Sequence, residues 1–124
     1  MPITARLDWE KHSLEDFAQF SDENKNFVWF LLEQFAGSDY SIIWADDYSR
    51  EEIFGEENDN RPGNKRFIGW YEVGGIYLGR KNRVAYLRLH QDGHVELSRA
   101  TQAFLEKFKQ PLENYTRDKL YVAR

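Results

Sequence analysis

Between Arg66 and Ser98 apolar and polar residues alternate with a period of two, and this pattern constrains the fold more than any other feature. Strands place successive side chains on opposite faces, so such alternation predicts half-buried strands. The alternating segments are RFIGWYEV, IYLG, RVAYLRLH and HVELS. Turn signals separate them at Gly74–Gly75, at Arg80–Asn82 and at Asp92–Gly93. These segments predict an antiparallel β-meander.

Apolar residues recur at helical spacing in the segments before and after the predicted meander. Ser13 is a candidate N-cap for a short helix over SLEDFAQF, and Ser21 is a candidate N-cap for a longer one. In the longer helix the apolar stripe consists of Phe27, Phe30, Leu31 and Phe35, and Gly37 gives its end. Ser98 is a candidate N-cap for a last helix that Pro111 ends.

The remaining apolar segments complete the predicted fold. YSIIWA (residues 40–45) is typical of a strand, and KLYVA near the C-terminus predicts a short docked strand. The order predicts a single α+β domain over residues 1–124. It consists of an antiparallel meander of four to five strands, with two N-terminal helices and one C-terminal helix packed on it.

The amino-acid composition excludes several classes of function. The chain has no cysteine, which excludes thiolate metal sites and cysteine nucleophiles. Aromatic residues make up 16% of the chain and supply a core that needs neither disulfide nor metal. The N-terminus has no run of signal-peptide length, and no apolar run reaches the roughly 18 residues that a spanning helix requires. We therefore expect a cytoplasmic protein without a membrane partner.

Charge is distributed unevenly along the chain. Residues 39–59, which we call the acidic segment, carry eight acidic residues and one basic residue, for a net charge of −7. Residues 61–90, the basic segment, carry a net charge of +6, whereas the whole chain has −4. Repulsion within so short an acidic segment costs stability, and folding does not require it. The concentration of carboxylates therefore indicates a role in binding.

No motif identifies a catalytic or cofactor site. Gly74 and Gly79 have the spacing of a phosphate-binding loop, but the required Lys-Ser/Thr pair does not follow Gly79. His90 and His94 flank a turn where their side chains need not converge on a metal. Asp46 and Asp47 are adjacent in a strand and should point to opposite faces, so they would not chelate one ion. We predict no catalytic, cofactor-binding or metal-binding residues and expect that the protein is not an enzyme.

The acidic segment combines carboxylates with large apolar side chains, a combination suited to capturing a basic protein surface. In size, acidity, aromatic content and lack of a catalytic set the chain resembles small acidic bacterial immunity proteins and antitoxins. The resemblance implies a protein-binding inhibitor that neutralises a basic, nuclease-like toxin. The predicted partner-binding residues are Trp44, Asp46, Asp47, Tyr48, Glu51, Glu52, Phe54, Glu56 and Glu57.

Two other functions fit the sequence. In the basic segment, cations alternate with aromatic rings, as nucleic-acid-binding surfaces require; these residues include Arg66, Arg80, Lys81, Arg83, Arg88, Trp70, Tyr71, Tyr77 and Tyr86. A nucleic-acid-binding or regulatory module is therefore one alternative. The other is a small enzyme or ligand-binding domain whose pocket the sequence does not identify.

Overall fold

The structure is a computed structural model, and it describes residues 3–9, 11–48 and 67–123. Within these ranges the fold is α+β, with six strands and two α-helices. The strands are β1 (Ile3–Arg6), β2 (Ser41–Asp47), β3 (Phe67–Tyr77), β4 (Arg80–His90), β5 (Val95–Ser98) and β6 (Leu120–Val122). The helices are α1 (Asp22–Phe35) and α2 (Gln102–Thr116), and a 3-10 turn covers Leu14–Phe17.

The strands form one sheet in the order β1-β2-β3-β4-β5-β6. Pairs from β1 to β5 are antiparallel, which confirms the meander, but β6 pairs with β5 in parallel. The sheet is therefore mixed rather than antiparallel throughout, because α2 forms a crossover that returns the chain to the same end of the sheet. The prediction of four to five strands omitted β1, which has only four residues.

Both helices pack on one face of the sheet and bury a single apolar core. Phe27 of α1 contacts the ring of Tyr71 in β3, with ring centroids 5.0 Å apart. Phe35 of α1 contacts Phe108 of α2 at 5.2 Å. The sheet contributes alternate residues to this core, among them Ala45, Tyr71, Val73, Leu87 and Leu97. The period-two pattern therefore assigns the buried face correctly for Tyr71 and Val73 in β3 and for β4 and β5. At the start of β3 it is wrong, because a register shift between Phe67 and Gly69 places Ile68 rather than Phe67 in the core.

The helix boundaries differ in part from those predicted. The first N-terminal helix is only a 3-10 turn, so the described residues contain one N-terminal α-helix rather than two. Thr101, not Ser98, is the N-cap of α2, and its hydroxyl accepts a hydrogen bond from the Phe104 N–H at 3.2 Å. Pro111 does not end α2 but lies inside it. The helix continues because Leu112 and Thr116 are buried beyond the proline.

The predicted turns at Gly74–Gly75 and Arg80–Asn82 are wrong, because both segments lie inside strands. The chain reverses instead at Leu78–Gly79, where both residues have positive φ, as a type I′ turn requires. Glycine is required at position 74 for a different reason, because a Cβ there would overlap the ring of Trp9. Close approach of a side chain, rather than a turn, accounts for glycine at this position.

Candidate functional site

The second face of the sheet, which we call the open face, has no described helix on it. Strand register defines the face by two rows of cross-strand neighbours. One row contains Arg6, Trp44, Glu72, Tyr86 and Ser98, and the other contains Thr4, Asp46, Trp70, Arg88, Glu96 and Tyr121. Most of these side chains are partly exposed. Trp, Tyr and Arg are the residue types that dominate binding energy at protein interfaces.

Asp46 organises two aromatic side chains at the β2 end of this face. Its Oδ2 accepts a hydrogen bond from Trp44 Nε1 at 2.8 Å and another from the Tyr48 hydroxyl at 3.0 Å. Tyr48 also contacts the ring of Phe67, with centroids 5.2 Å apart. The guanidinium of Arg6 lies 4.8 Å from the centroid of the Trp44 ring. The carboxylate thus fixes the orientation of both rings.

Asp47 points to the opposite face and joins a buried polar network at the start of α1. Its carboxylate accepts hydrogen bonds from the Ser21 N–H at 2.7 Å and from Asn24 Nδ2 at 2.8 Å. Asn24 also donates to the carbonyl of Ile68 at 2.7 Å and accepts a hydrogen bond from Tyr71. Burial, together with the negative charge of Asp47, raises the pKa of Tyr71 well above its ordinary value. The network attaches α1 to β2 and β3.

The predicted partner-binding residues therefore have different roles. Asp46 and Asp47 are only 5% and 3% exposed, so the expectation that both carboxylates face a partner is wrong. Asp46 is covered by its neighbours Trp44 and Tyr48, which donate to it, whereas Asp47 accepts from Ser21 and Asn24 in the network at the start of α1. Trp44 and Tyr48 lie together on the open face. The remaining predicted residues lie outside the described residues: Glu51, Glu52, Phe54, Glu56 and Glu57.

The basic segment divides among three places. Trp70, Tyr86, Arg83 and Arg88 belong to the open face, whereas Tyr71 is buried in the core. Tyr77, Arg80 and Lys81 lie at the β3–β4 turn. Arg66 lies outside the described residues, as do Arg61 and Lys65. The structure therefore brings only some of the predicted cations and rings together on one face.

Stacked cations and rings characterise the β4 side of the open face. The Arg88 guanidinium lies 5.0 Å from the Phe67 ring centroid and 5.9 Å from that of Trp70. Arg99 lies 5.5 Å from the Tyr86 ring centroid. A shallow pocket of about 340 Å³ lies between these side chains, lined by Trp70, Glu72, Tyr86, Arg88, Ser98 and Arg99. Glu72 is paired with Arg83 at 2.6 Å and Arg88 with Glu96 at 3.5 Å, so the pocket is lined by ion-paired side chains together with Arg99.

His90 and His94 converge, contrary to the expectation from the sequence. Their ring centroids are 5.0 Å apart, and His90 Nε2 is 3.5 Å from a carboxylate oxygen of Glu96. Burial, and secondarily the neighbouring His94, lowers the pKa of His90 despite the opposing effect of Glu96. A neutral imidazole is therefore the favoured form of His90 at neutral pH.

Sequence reasoning missed several residues of the open face. Arg6, Glu96 and Arg99 were not singled out, although each contacts a side chain of the face. Alternation along HVELS predicts that Glu96 lies opposite the buried pair Val95 and Leu97, so this signal was present. The position of Arg6 depends on β1, whose pairing with β2 the sequence does not reveal.

Within the described ranges, no group of three or more His, Asp or Glu side chains has an arrangement that could hold a metal ion. No helix among the described residues has both the length and the apolar character needed to cross a bilayer. In comparisons with known proteins, no family model, no curated protein and no solved structure matches the chain.

Proposed function

We propose that the protein is a small protein-binding inhibitor of the immunity-protein or antitoxin type, acting in the cytoplasm on a basic, nuclease-like toxin. The observation that carries the proposal is the Trp44–Asp46–Tyr48 cluster on the open face. It presents two aromatic rings, already oriented by one carboxylate, at the point where the chain continues into the rest of the acidic segment. Oriented rings lose little side-chain entropy on binding and so suit the role of interface anchors.

The acidic segment supplies the second element of the proposed interface. Residues 49–59 carry five carboxylates in addition to Asp46 and Asp47 and follow Tyr48 directly. A cleft built for phosphates presents Arg and Lys side chains, which carboxylates complement. In this proposal Asp46 positions the anchors, Asp47 stabilises the fold, and Glu51, Glu52, Glu56 and Glu57 contact the partner together with Phe54.

The test begins with the neighbouring genes: a basic nuclease domain encoded there is purified, and its binding to this protein is measured, with inhibition of its nuclease activity as a second readout. Replacing Glu51, Glu52, Glu56 and Glu57 by Gln should weaken binding at least tenfold, since charge pairs at interfaces contribute strongly. The matched control replaces four exposed glutamates on the helical side by Gln: Glu15, Glu23, Glu33 and Glu106. This control changes net charge equally and should leave affinity nearly unchanged.

The anchors are tested separately. Trp44→Ala should lower affinity about thirtyfold or more, as truncation of a central interface tryptophan does. Trp29→Ala is the control, because Trp29 is 54% exposed on α1, far from the open face in the fold. Equal inhibition by wild type and both the glutamine and Trp44 variants would refute the proposal.

A second candidate function is supported by the stacking of Arg88 on Phe67 and Trp70, beside a pocket that Arg88 and Arg99 line. Arginine side chains next to aromatic rings suit single-stranded nucleic acid. Retention of a labelled RNA oligonucleotide on filters at low salt, lost in Arg88→Gln, would favour this function over inhibition. Absence of retention at low salt would eliminate it.

A further inference from the structure

The β3–β4 hairpin extends beyond both neighbouring strands. Pairing of β2 with β3 begins at Gly74, and pairing of β5 with β4 ends at Tyr86. Beyond these points, Ile76 pairs only with Lys81 and Tyr77 only with Arg80. The turn residues Leu78 and Gly79 therefore stand at the tip of a two-stranded arm.

The tip of this arm is apolar and exposed. Leu78 is 83% exposed, and Ile76 and Tyr77 are each 47% exposed. Isolated exposed apolar residues are ordinary, but three consecutive ones at a projecting tip are not. Successive strand residues point to opposite faces, so the apolar side chains are distributed around the tip rather than along one side of it.

Leu78 is also conformationally strained. Its φ of 53° lies in the left-handed region, where a Cβ is disfavoured and where Asn or Gly is the usual residue of such a turn. Glycine at this position would remove both the strain and the exposed apolar surface. Folding alone therefore does not account for leucine, and an observed strained residue of this kind points to a function.

The cations of the arm indicate the charge of the surface that it contacts. Arg80 and Lys81 are exposed and lie directly opposite Tyr77 and Ile76. No acidic residue occurs between Val73 and His90. The arm thus combines an apolar tip with positive charge immediately behind it, and its complement has a negative surface with an apolar interior.

We propose that this arm docks on the surface of a bilayer that contains anionic phospholipid, with Leu78 inserted among the acyl chains and Arg80 and Lys81 at the headgroups. A bilayer surrounds an inserted tip on all sides, which matches apolar side chains on both faces of the arm, whereas a protein surface contacts one face. RNA would engage the cations but would not require Leu78.

This docking site is independent of the proposed inhibitor function. The arm lies at the end of the sheet opposite Tyr48 and Phe67, the residues that flank the undescribed part of the acidic segment. The expectation of no membrane partner depended on the lack of a spanning segment. Docking of a hairpin tip needs no such segment.

The first experiment measures co-sedimentation of the full chain with phosphatidylcholine vesicles, with and without phosphatidylglycerol, at low salt. We expect binding only to vesicles that contain phosphatidylglycerol. Leu78→Gly should weaken this binding about tenfold or more, since burial of a leucine side chain contributes that much. Its melting temperature should equal or exceed that of wild type, so lost binding cannot be attributed to unfolding.

Control variants separate the arm from general hydrophobicity and charge. Trp29→Ala removes a larger exposed apolar side chain and should bind as wild type does. Arg80→Gln with Lys81→Gln should also reduce binding about tenfold or more, whereas Lys25→Gln with Lys109→Gln should not. Wild type that fails to sediment with anionic vesicles, Leu78→Gly that binds equally well, or loss of binding in the Trp29 variant would each overturn the proposal.

Discussion

The carboxylate of Asp47 accepts a backbone N–H from Ser21 and a side-chain amide from Asn24 in an interior that excludes water. Removing the acceptor leaves the Ser21 N–H and one N–H of the Asn24 amide without this acceptor, which costs more than the hydrogen bonds themselves contribute. The same carboxylate lies near the N-terminus of α1, where the helix dipole favours negative charge. Asp47 is therefore a structural residue, although it belongs to the most acidic part of the sequence.

Replacing Asp47 by Ala should lower the free energy of unfolding by about 2 to 4 kcal/mol, because the Ser21 N–H and one N–H of the Asn24 amide lose this acceptor. Urea denaturation followed by circular dichroism measures this change. The control is Asp39→Ala, since Asp39 is an exposed member of the same acidic segment. Its effect should stay within about 0.5 kcal/mol. Similar losses for both variants would contradict the role of the network.

His90 should make stability depend on pH. Burial lowers its folded-state pKa, so below its ordinary value near 6.5 the unfolded state binds more protons. Stability should therefore fall as pH decreases from about 7 towards 5.5. The facing groups are His94, Glu96 and Arg88, of which Glu96 opposes the shift.

The measurement compares melting temperatures of wild type and His90→Phe over this pH range. Phenylalanine keeps an aromatic ring against Phe67 and His94 but does not titrate. We expect a smaller loss of stability on acidification in this variant. An unchanged slope in His90→Phe would show that other groups determine the acid sensitivity.

At the scale of single residues, local patterns predicted the face of the sheet to which a side chain points, but not the groups with which it forms hydrogen bonds. The opposite orientations of Asp46 and Asp47 followed from strand geometry and are correct. Their burial did not follow, because the donors that stabilise Asp47 belong to Ser21 and Asn24, more than twenty residues away. A hydrogen bond across that separation leaves no signal in the neighbouring sequence. Charge density alone therefore gave no sign that Asp47 is a structural residue.

At the scale of elements, α2 illustrates how packing overrides propensity. Pro111 lacks an N–H and its ring crowds the carbonyl of Lys107, yet the helix extends to Thr116. Phe104 and Phe108 before the proline and Leu112 after it are buried in the same core. Burial of both halves offsets the unfavourable residue between them.

Replacing Pro111 by Ala should raise the free energy of unfolding by about 1 to 3 kcal/mol. Removing proline also increases the conformational entropy of the unfolded chain, which favours unfolding. This effect partly offsets the gain and accounts for the lower part of the range. Chemical denaturation measures the change, and Gln110→Ala at the exposed neighbouring position is the control, expected to be within about 0.5 kcal/mol of wild type. Destabilisation by Pro111→Ala would show that the ring itself contributes to packing.

Elements with strong periodicity could be predicted, whereas those defined by contacts could not. The stripe of α1 and the alternation of β3 to β5 identified their buried faces. Gly74 was taken for a turn because its real cause, the nearby ring of Trp9, is distant in sequence. The turn at Leu78–Gly79 was missed because leucine is an unusual residue there. Leu78, the residue that departs from the usual preference for this turn, is thus also the residue proposed to insert into a bilayer.

At the scale of the whole molecule, the two proposed interaction surfaces lie at opposite ends of the sheet. Tyr48 and Phe67, which flank residues 49–66, lie at one end of β3, and the cations Arg80 and Lys81 lie beyond its other end. Strand β3 has eleven residues, so the two ends are roughly 30 Å apart. This distance exceeds the Debye length of about 8 Å at physiological ionic strength, so exposed charges at the two ends are largely screened from each other.

This separation gives a kinetic prediction for the proposed inhibitor. Carboxylates that steer a basic partner increase the association rate, and salt screens long-range steering. The association rate constant with the neighbouring nuclease domain should therefore fall about tenfold or more between roughly 0.02 and 0.5 M salt. The dissociation rate constant should change much less. Stopped-flow fluorescence of the tryptophans at several salt concentrations measures both.

The variants of the two ends make this prediction specific. The Gln variant of Glu51, Glu52, Glu56 and Glu57 should associate more slowly at low salt and should lose most of the salt dependence. Arg80→Gln with Lys81→Gln should keep or slightly increase the wild-type rate, because it removes cations that repel a basic partner from a distant site. Equal salt dependence in the glutamate variant and wild type would mean that steering originates elsewhere. In that case the exposed glutamates of the helical side become the next residues to replace.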